Sequence, residues 1–178
     1  MVQRDLRDRG IRDARVLQAM RSVPRHCFVP DPLKPLAYAD RPLPIGEDQT
    51  ISQPYIVAVM TEALQLRGDE RVLELGTGSG YQTAVLAELG KEIWTIERSE
   101  MLSTGAQQAL GRLGYENVHF RIGDGTEGWP SESPFDRILA TGSLPEIPTS
   151  LLEQLRRGEG LFVGPVGTRE DQEIVRVR

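Results

Sequence analysis

Three glycines at alternate positions, Gly76, Gly78 and Gly80, follow an acid, Glu74, in the stretch Leu73-Glu74-Leu75-Gly76-Thr77-Gly78-Ser79-Gly80. Glycine permits sharp turns and lets a ligand approach main-chain N–H groups closely. Apolar and β-branched residues lead into the glycines and read as a strand, whereas residues 81–89, stopped by Gly90, read as a helix. The spacing does not meet the dinucleotide fingerprint Gly-x-Gly-x-x-Gly, because the position of its third glycine holds Tyr81. A second acid, Glu97, closes the next strand, residues 91–97. An acid there can accept hydrogen bonds from both ribose hydroxyls of a nucleoside. The alternative is a structural glycine turn in some other α/β protein.

Stepping outward from these residues, the chain alternates strands and helices. Residues 1–23 read as two short helices separated by Gly10, with Val16, Leu17, Met20 and Val23 on one face of the second and Pro24 ending it. Residues 30–50 hold five prolines and read as an ordered loop with little regular structure. A helix over 53–66 follows, with Pro54 in its first turn and Ser52 placed as its N-cap. After Glu97 come a helix over 99–113, strands over 117–122 and 135–140, a helix near 149–156, and strands near 160–166 and 173–178. This order predicts an α/β fold, a doubly wound and mostly parallel sheet. Ligands of such sheets sit at the carboxyl ends of the strands. Gly76, Glu97, Asp124 and Thr141 all fall at such ends.

Composition narrows the function classes. The 178 residues are 39% apolar and 26% charged with a net charge of -5, ordinary for a globular domain and unfavourable for nucleic-acid binding. One domain is expected, with residues 1–52 carrying helices and a proline-rich loop and 53–178 the core. The single cysteine, Cys27, fits a reducing cytoplasm and is expected as a small buried side chain. No apolar run is long enough to cross a membrane, and residues 1–5 do not read as a signal peptide. There is no triad motif and no metal-ligand spacing; the two histidines are His26 and His119. Cytoplasmic location, no metal, no membrane partner and a monomer are expected.

Glu-x-Gly-x-Gly-x-Gly with a downstream acid resembles the S-adenosylmethionine site of Rossmann-like methyltransferases. More specific stretches are Val23-Pro24-Arg25-His26, Leu43-Pro44-Ile45-Gly46, Gln49-Thr50-Ile51-Ser52-Gln53-Pro54-Tyr55, Gly123-Asp124-Gly125, Pro134-Phe135-Asp136 and Pro145-Glu146-Ile147-Pro148. Together they resemble the protein-L-isoaspartate O-methyltransferase family over nearly the whole chain. The resemblance implies repair of damaged proteins by methylating the abnormal carboxylate of L-isoaspartyl and D-aspartyl residues, with S-adenosylhomocysteine as product. It implies that the backbone of Gly76, Thr77, Gly78 and Gly80, with Glu74 and Thr141, holds the cofactor. Glu97 would take the ribose hydroxyls. Asp124, with Gly125 beside it, would accept from the adenine amine; read from the sequence alone, Asp124 is equally a turn aspartate. Thr50, Ile51 and Ser52 would lie between cofactor and substrate, with Gln49, Thr50 and Ser52 touching substrate and Ser52 as the active-site serine.

The chemistry suits this inventory. A side-chain carboxylate, pKa about 4, is ionised at neutral pH and needs no general base. The enzyme's contribution is then orientation and exclusion of water. Ser52 is expected either to orient the carboxylate or to cap a helix whose N-terminus favours the anion. The sequence leaves open a methyltransferase of another carboxylate, or a cofactor-binding but impaired homologue. Glu47 and Asp48 stand where the family usually has glycine-containing sequence, and are expected to weaken binding of an anionic substrate. The chain also ends earlier than family members do, so an open edge at 173–178 and weaker cofactor binding are expected.

Overall fold

The computed structural model describes residues 1–168 and 171–178. The chain opens with a π-helical turn, Val2–Leu6, and a 3-10 turn, Arg7–Arg9, ended by Gly10 at φ 108°. Helix α1 (Ala14–Ser22) follows, capped by Asp13, whose carboxylate accepts from the Arg15 and Val16 amides. Its Val16, Leu17 and Met20, with Val23 just beyond, are buried as the periodicity predicts.

Residues 30–50 are more regular than expected. They hold a 3-10 helix, Asp31–Leu36, and an antiparallel hairpin of β1 (Leu43–Gly46) and β2 (Gln49–Ile51). The two residues joining the strands, Glu47 and Asp48, have φ of 51° and 53°. Positive φ at both central positions is what the type I′ loop of a two-residue hairpin demands, and Asn-Gly is its usual solution. Two acids in place of that pair hid the hairpin in the sequence.

Next come α2 (Pro54–Ala63), β3 (Arg71–Leu75), α3 (Tyr81–Ala87), β4 (Glu92–Glu97), α4 (Glu100–Arg112) and β5 (Val118–Ile122). The chain closes with β6 (Arg137–Ala140), α5 (Thr149–Glu153), β7 (Leu161–Gly167) and β8 (Gln172–Val177). The large sheet runs β5-β4-β3-β6-β7-β8, parallel throughout except for β8, which pairs antiparallel to β7 on the edge.

The period-2 alternation of strands sorts the core into two layers. Val72 and Ile93 face one side, in a cluster with residues of α1 to α4. Leu73, Leu75, Trp94, Ile96 and Ile138 face the other, against α5 and Phe135. Helices therefore cover both faces unequally. β4 lies on one side of β3 and β6 on the other, so the chain reverses direction across the sheet beside β3. That reversal opens a crevice beyond the strand ends. Cys27 is exposed, not buried as expected, because it sits on the outer side of the 3-10 turn Arg25–Phe28 whose Arg25 and Phe28 turn inward.

Candidate functional site

A cleft of about 500 Å³ occupies that crevice, within the ~300–1,000 Å³ typical of small-molecule sites. Its walls hold Gln49, Thr50, Ile51 and Ser52 from β2 and the residue after it, and Gly76, Thr77 and Gly78 from the glycine turn. Glu97, Asp124, Gly125 and Thr141, also singled out from the sequence, line it too. Glu74 and Gly80 are not on the wall. Val57, Tyr81, Gln82, Arg98, Thr126 and Ser143 line it without having been singled out. Arg98 and Ser143 each lie one or two residues past a recognised position, so strand-end placement was the signal available for them.

The glycine turn is shaped by contacts that side chains would block. Gly76 has φ 93°, and a Cβ there would meet Thr141 Oγ1 at 2.5 Å. That hydroxyl donates to the carbonyls of Leu75 and Gly76, at 2.9 and 2.6 Å, and ties β6 to the turn. Gly80, at φ 86°, begins α3; a Cβ there would press on Ala106 and Leu110 of α4. Gly80 thus serves helix packing rather than the cleft wall.

Glu97 is buried and its carboxylate is fixed by main-chain donors. Oε2 accepts from the Gly78 amide at 2.9 Å and Oε1 from the Ser99 amide at 3.0 Å. A carboxylate offers about four acceptor positions, so two remain for a ligand's hydroxyls. Asp124 Oδ1 accepts from the Thr126 hydroxyl and amide, which holds its pKa below the usual carboxylate value. Its role as a turn aspartate is therefore real, and Oδ2 stays free of that turn.

Glu74 lies beneath the turn, fully buried. Its Oε2 accepts from Thr83 Oγ1 at 2.5 Å and from Thr95 Oγ1 at 2.7 Å, and Thr95 Oγ1 shares a 2.7 Å contact with Thr77 Oγ1. Oε1 has no hydrogen-bond partner among the described residues. Burial pushes the Glu74 pKa up to about 8, the threonine bonds opposing it in part. Burial thus favours the protonated carboxyl, which supports the turn from below through Thr95 and Thr77.

The hairpin leans over the glycine turn, with Ile45 Cδ1 3.6 Å from where a Cβ on Gly78 would stand. Ser52 follows β2, half-buried, and its expected capping role falls elsewhere. Gln53 holds the N-cap position of α2 and makes no side-chain cap. The cap comes from Asp40: Oδ1 accepts from the Tyr55 amide at 3.0 Å, and Oδ2 accepts from Gln53 Nε2 at 2.8 Å. The Tyr55 amide thus takes a remote carboxylate in place of the local serine. Because Asp40 sits at that helix end, the N-terminus is no open anion site. Glu47 and Asp48 are exposed at the hairpin tip.

Comparison with known proteins accords with this geometry. The family model described as Protein-L-isoaspartate(D-aspartate) O-methyltransferase matches residues 1–178. The chain belongs to the protein-L-isoaspartate O-methyltransferase family. It is 58% identical over 177 residues to "Protein-L-isoaspartate O-methyltransferase 1" of Syntrophobacter fumaroxidans, covering 99% of this chain and 82% of that one. A solved protein-L-isoaspartate O-methyltransferase superposes with a TM-score of 0.86 at 31% identity, covering 99% of this chain and 58% of its own. A Plasmodium falciparum structure, described as a family member in complex with S-adenosyl-L-homocysteine, gives 0.84 at 23% identity, covering 98% of this chain and 87% of its own; it bears on the fold. Membership of the family makes this chain an S-adenosylmethionine-dependent methyltransferase.

Proposed function

We propose that the cleft at the ends of β3, β4 and β5 is where this chain transfers a methyl group from S-adenosylmethionine to the carboxylate of isoaspartyl residues in damaged proteins. One observation carries the reading. Gln49, Thr50 and Ser52, the stretch most specific to the family, share a single cleft with the glycine turn, Glu97 and Asp124. This sharing supports a site where acceptor and cofactor would meet.

S-adenosylmethionine supplies a methyl group on a positively charged sulfur. The residues of this chain do the rest by placement. Glu97, locked by the Gly78 and Ser99 amides, would accept from the ribose hydroxyls. Asp124 would accept from the adenine amine through the oxygen that Thr126 leaves free. The main chain at Gly76–Gly78 would hold the methionine part. Ser52, relieved of capping by Asp40, would donate a hydrogen bond to the acceptor carboxylate. The acceptor arrives already ionised, so no residue has to remove a proton.

The net charge of -5 favours a protein acceptor over a nucleic acid, and the lone Cys27 suits a reducing compartment. A crystal structure with S-adenosylhomocysteine and an isoaspartyl peptide tests the site. The reading requires Ser52 Oγ within hydrogen-bond distance of the isoaspartyl carboxylate and Glu97 on the ribose. A peptide seated away from residues 49–52 would overturn it.

A further inference from the structure

Arg25 is fully buried, yet the described structure gives it no carboxylate partner. Its Nε donates to the Ala37 carbonyl at 2.8 Å and its Nη2 to the Ser52 carbonyl at 2.8 Å. Nη1 is buried without a hydrogen-bond partner among the described residues. The guanidinium lies over the Tyr81 ring, 4.6 Å from its centroid. Ser52 and Tyr81 both line the cleft. Asp40, the neighbouring acid, is already bound by Arg9, Gln53 and the Tyr55 amide.

Burying an unpaired cation is costly, and its persistence calls for a function. Burial lowers the pKa of Arg25, but an arginine remains charged at any physiological pH. The carboxylate of Asp40 occupies the end of α2, so helix polarity offers little to an anion beside Ser52. What lies behind the Ser52 peptide is the Arg25 guanidinium.

We propose that Arg25 is a positioning residue for methyl transfer. It fixes the Ser52 peptide from behind and places a positive charge, with no carboxylate hydrogen-bonded to it, under the point where the acceptor carboxylate meets the cleft. The planar fork reaches two carbonyls at once, on Ala37 and Ser52, and so joins the residues after the 3-10 helix Asp31–Leu36 to the substrate wall. Asp40 holds the same segment from the other side through Gln53 and Tyr55. The role of Arg25 toward the acceptor rests on the reaction proposed above; its grip on the segment does not.

The test compares Arg25→Met and Arg25→Lys with the parent. It reads KM and kcat for an isoaspartyl peptide, the Kd of S-adenosylhomocysteine by calorimetry, and amide hydrogen exchange of residues 50–55. Arg25→Met is expected to raise KM at least tenfold, to lower kcat, and to speed exchange in that segment, with the Kd unchanged within twofold. Arg25→Lys keeps the charge but cannot span both carbonyls. It should restore most of KM while kcat stays low. A fall in melting temperature with unchanged KM, kcat and exchange would make Arg25 a packing residue and overturn the proposal. A Kd shift as large as the KM shift would overturn it too. Should Arg25→Met fail to fold, Arg25→Lys decides, since parental kcat in that variant contradicts the bidentate role. If the parent itself methylates no isoaspartyl peptide, the reaction assignment fails, and exchange in the two variants still judges the grip on Ser52.

Discussion

Replacing Glu74 by glutamine tests the buried carboxyl directly. In the folded chain its pKa stands near 8, against an ordinary value of 4.5, because burial disfavours the anion. Between those values the folded chain keeps a proton that the unfolded chain has released. Stability therefore falls as pH rises from about 4.5 to about 8, and is flat beyond. The slope is at most ~1.4 kcal/mol per pH unit, a ceiling of about 5 kcal/mol over the window. Glutamine cannot ionise and retains an oxygen for Thr83 and Thr95, so its variant lacks this slope. The amide adds donors where Oε1 now has no partner, at a cost of about 1–3 kcal/mol at every pH. Urea unfolding of both proteins from pH 5 to pH 9 gives the difference, in which all other titrations cancel. The variant should be the less stable at pH 5 and should gain on the parent by several kcal/mol by pH 8. Parallel curves across that range would refute a protonated Glu74.

Three other substitutions follow from the site. Ser52→Ala should lower turnover by about 10–100-fold, the worth of one hydrogen bond to a charged group, while unfolding free energy changes by less than ~0.5 kcal/mol because Asp40 caps α2; kinetics beside thermal melts check this. Glu97→Ala should weaken S-adenosylhomocysteine binding by about 2–4 kcal/mol, read by calorimetry, since it loses two charge-assisted bonds and frees the Gly78 amide. Replacing the turn pair, Glu47→Asn with Asp48→Gly, should stabilise by about 1 kcal/mol by relieving left-handed backbone, and should lower KM for isoaspartyl peptides most at low salt; melts and a salt series measure both.

The alternating strands and helices made the parallel sheet legible, because period-2 and period-3.6 patterns survive in Val72–Leu75, Ile93–Ile96 and α1. The strand-end rule then placed Gly76, Glu97, Asp124 and Thr141 correctly around one cleft. What stayed hidden depended on distant partners. The cap of α2 comes from Asp40, fifteen residues before the amide it serves. The β1–β2 hairpin turns on two acids where glycine would have announced it. Glu74 carried the family's signature, yet its neighbours in the sheet, above all Thr95 opposite it on β4, draw it under the turn instead of into the cleft. Arg25 gave no sign of its burial, since its partners are two main-chain carbonyls that no side-chain pattern encodes.

The most direct measurement is methyl transfer from labelled S-adenosylmethionine to an isoaspartyl peptide and to its normal aspartyl twin, side by side. Transfer to the isoaspartyl peptide, with none to the twin, is the predicted result. Equal labelling of both peptides, or cofactor binding with no transfer to either, would contradict the assignment of this cleft to isoaspartyl methylation.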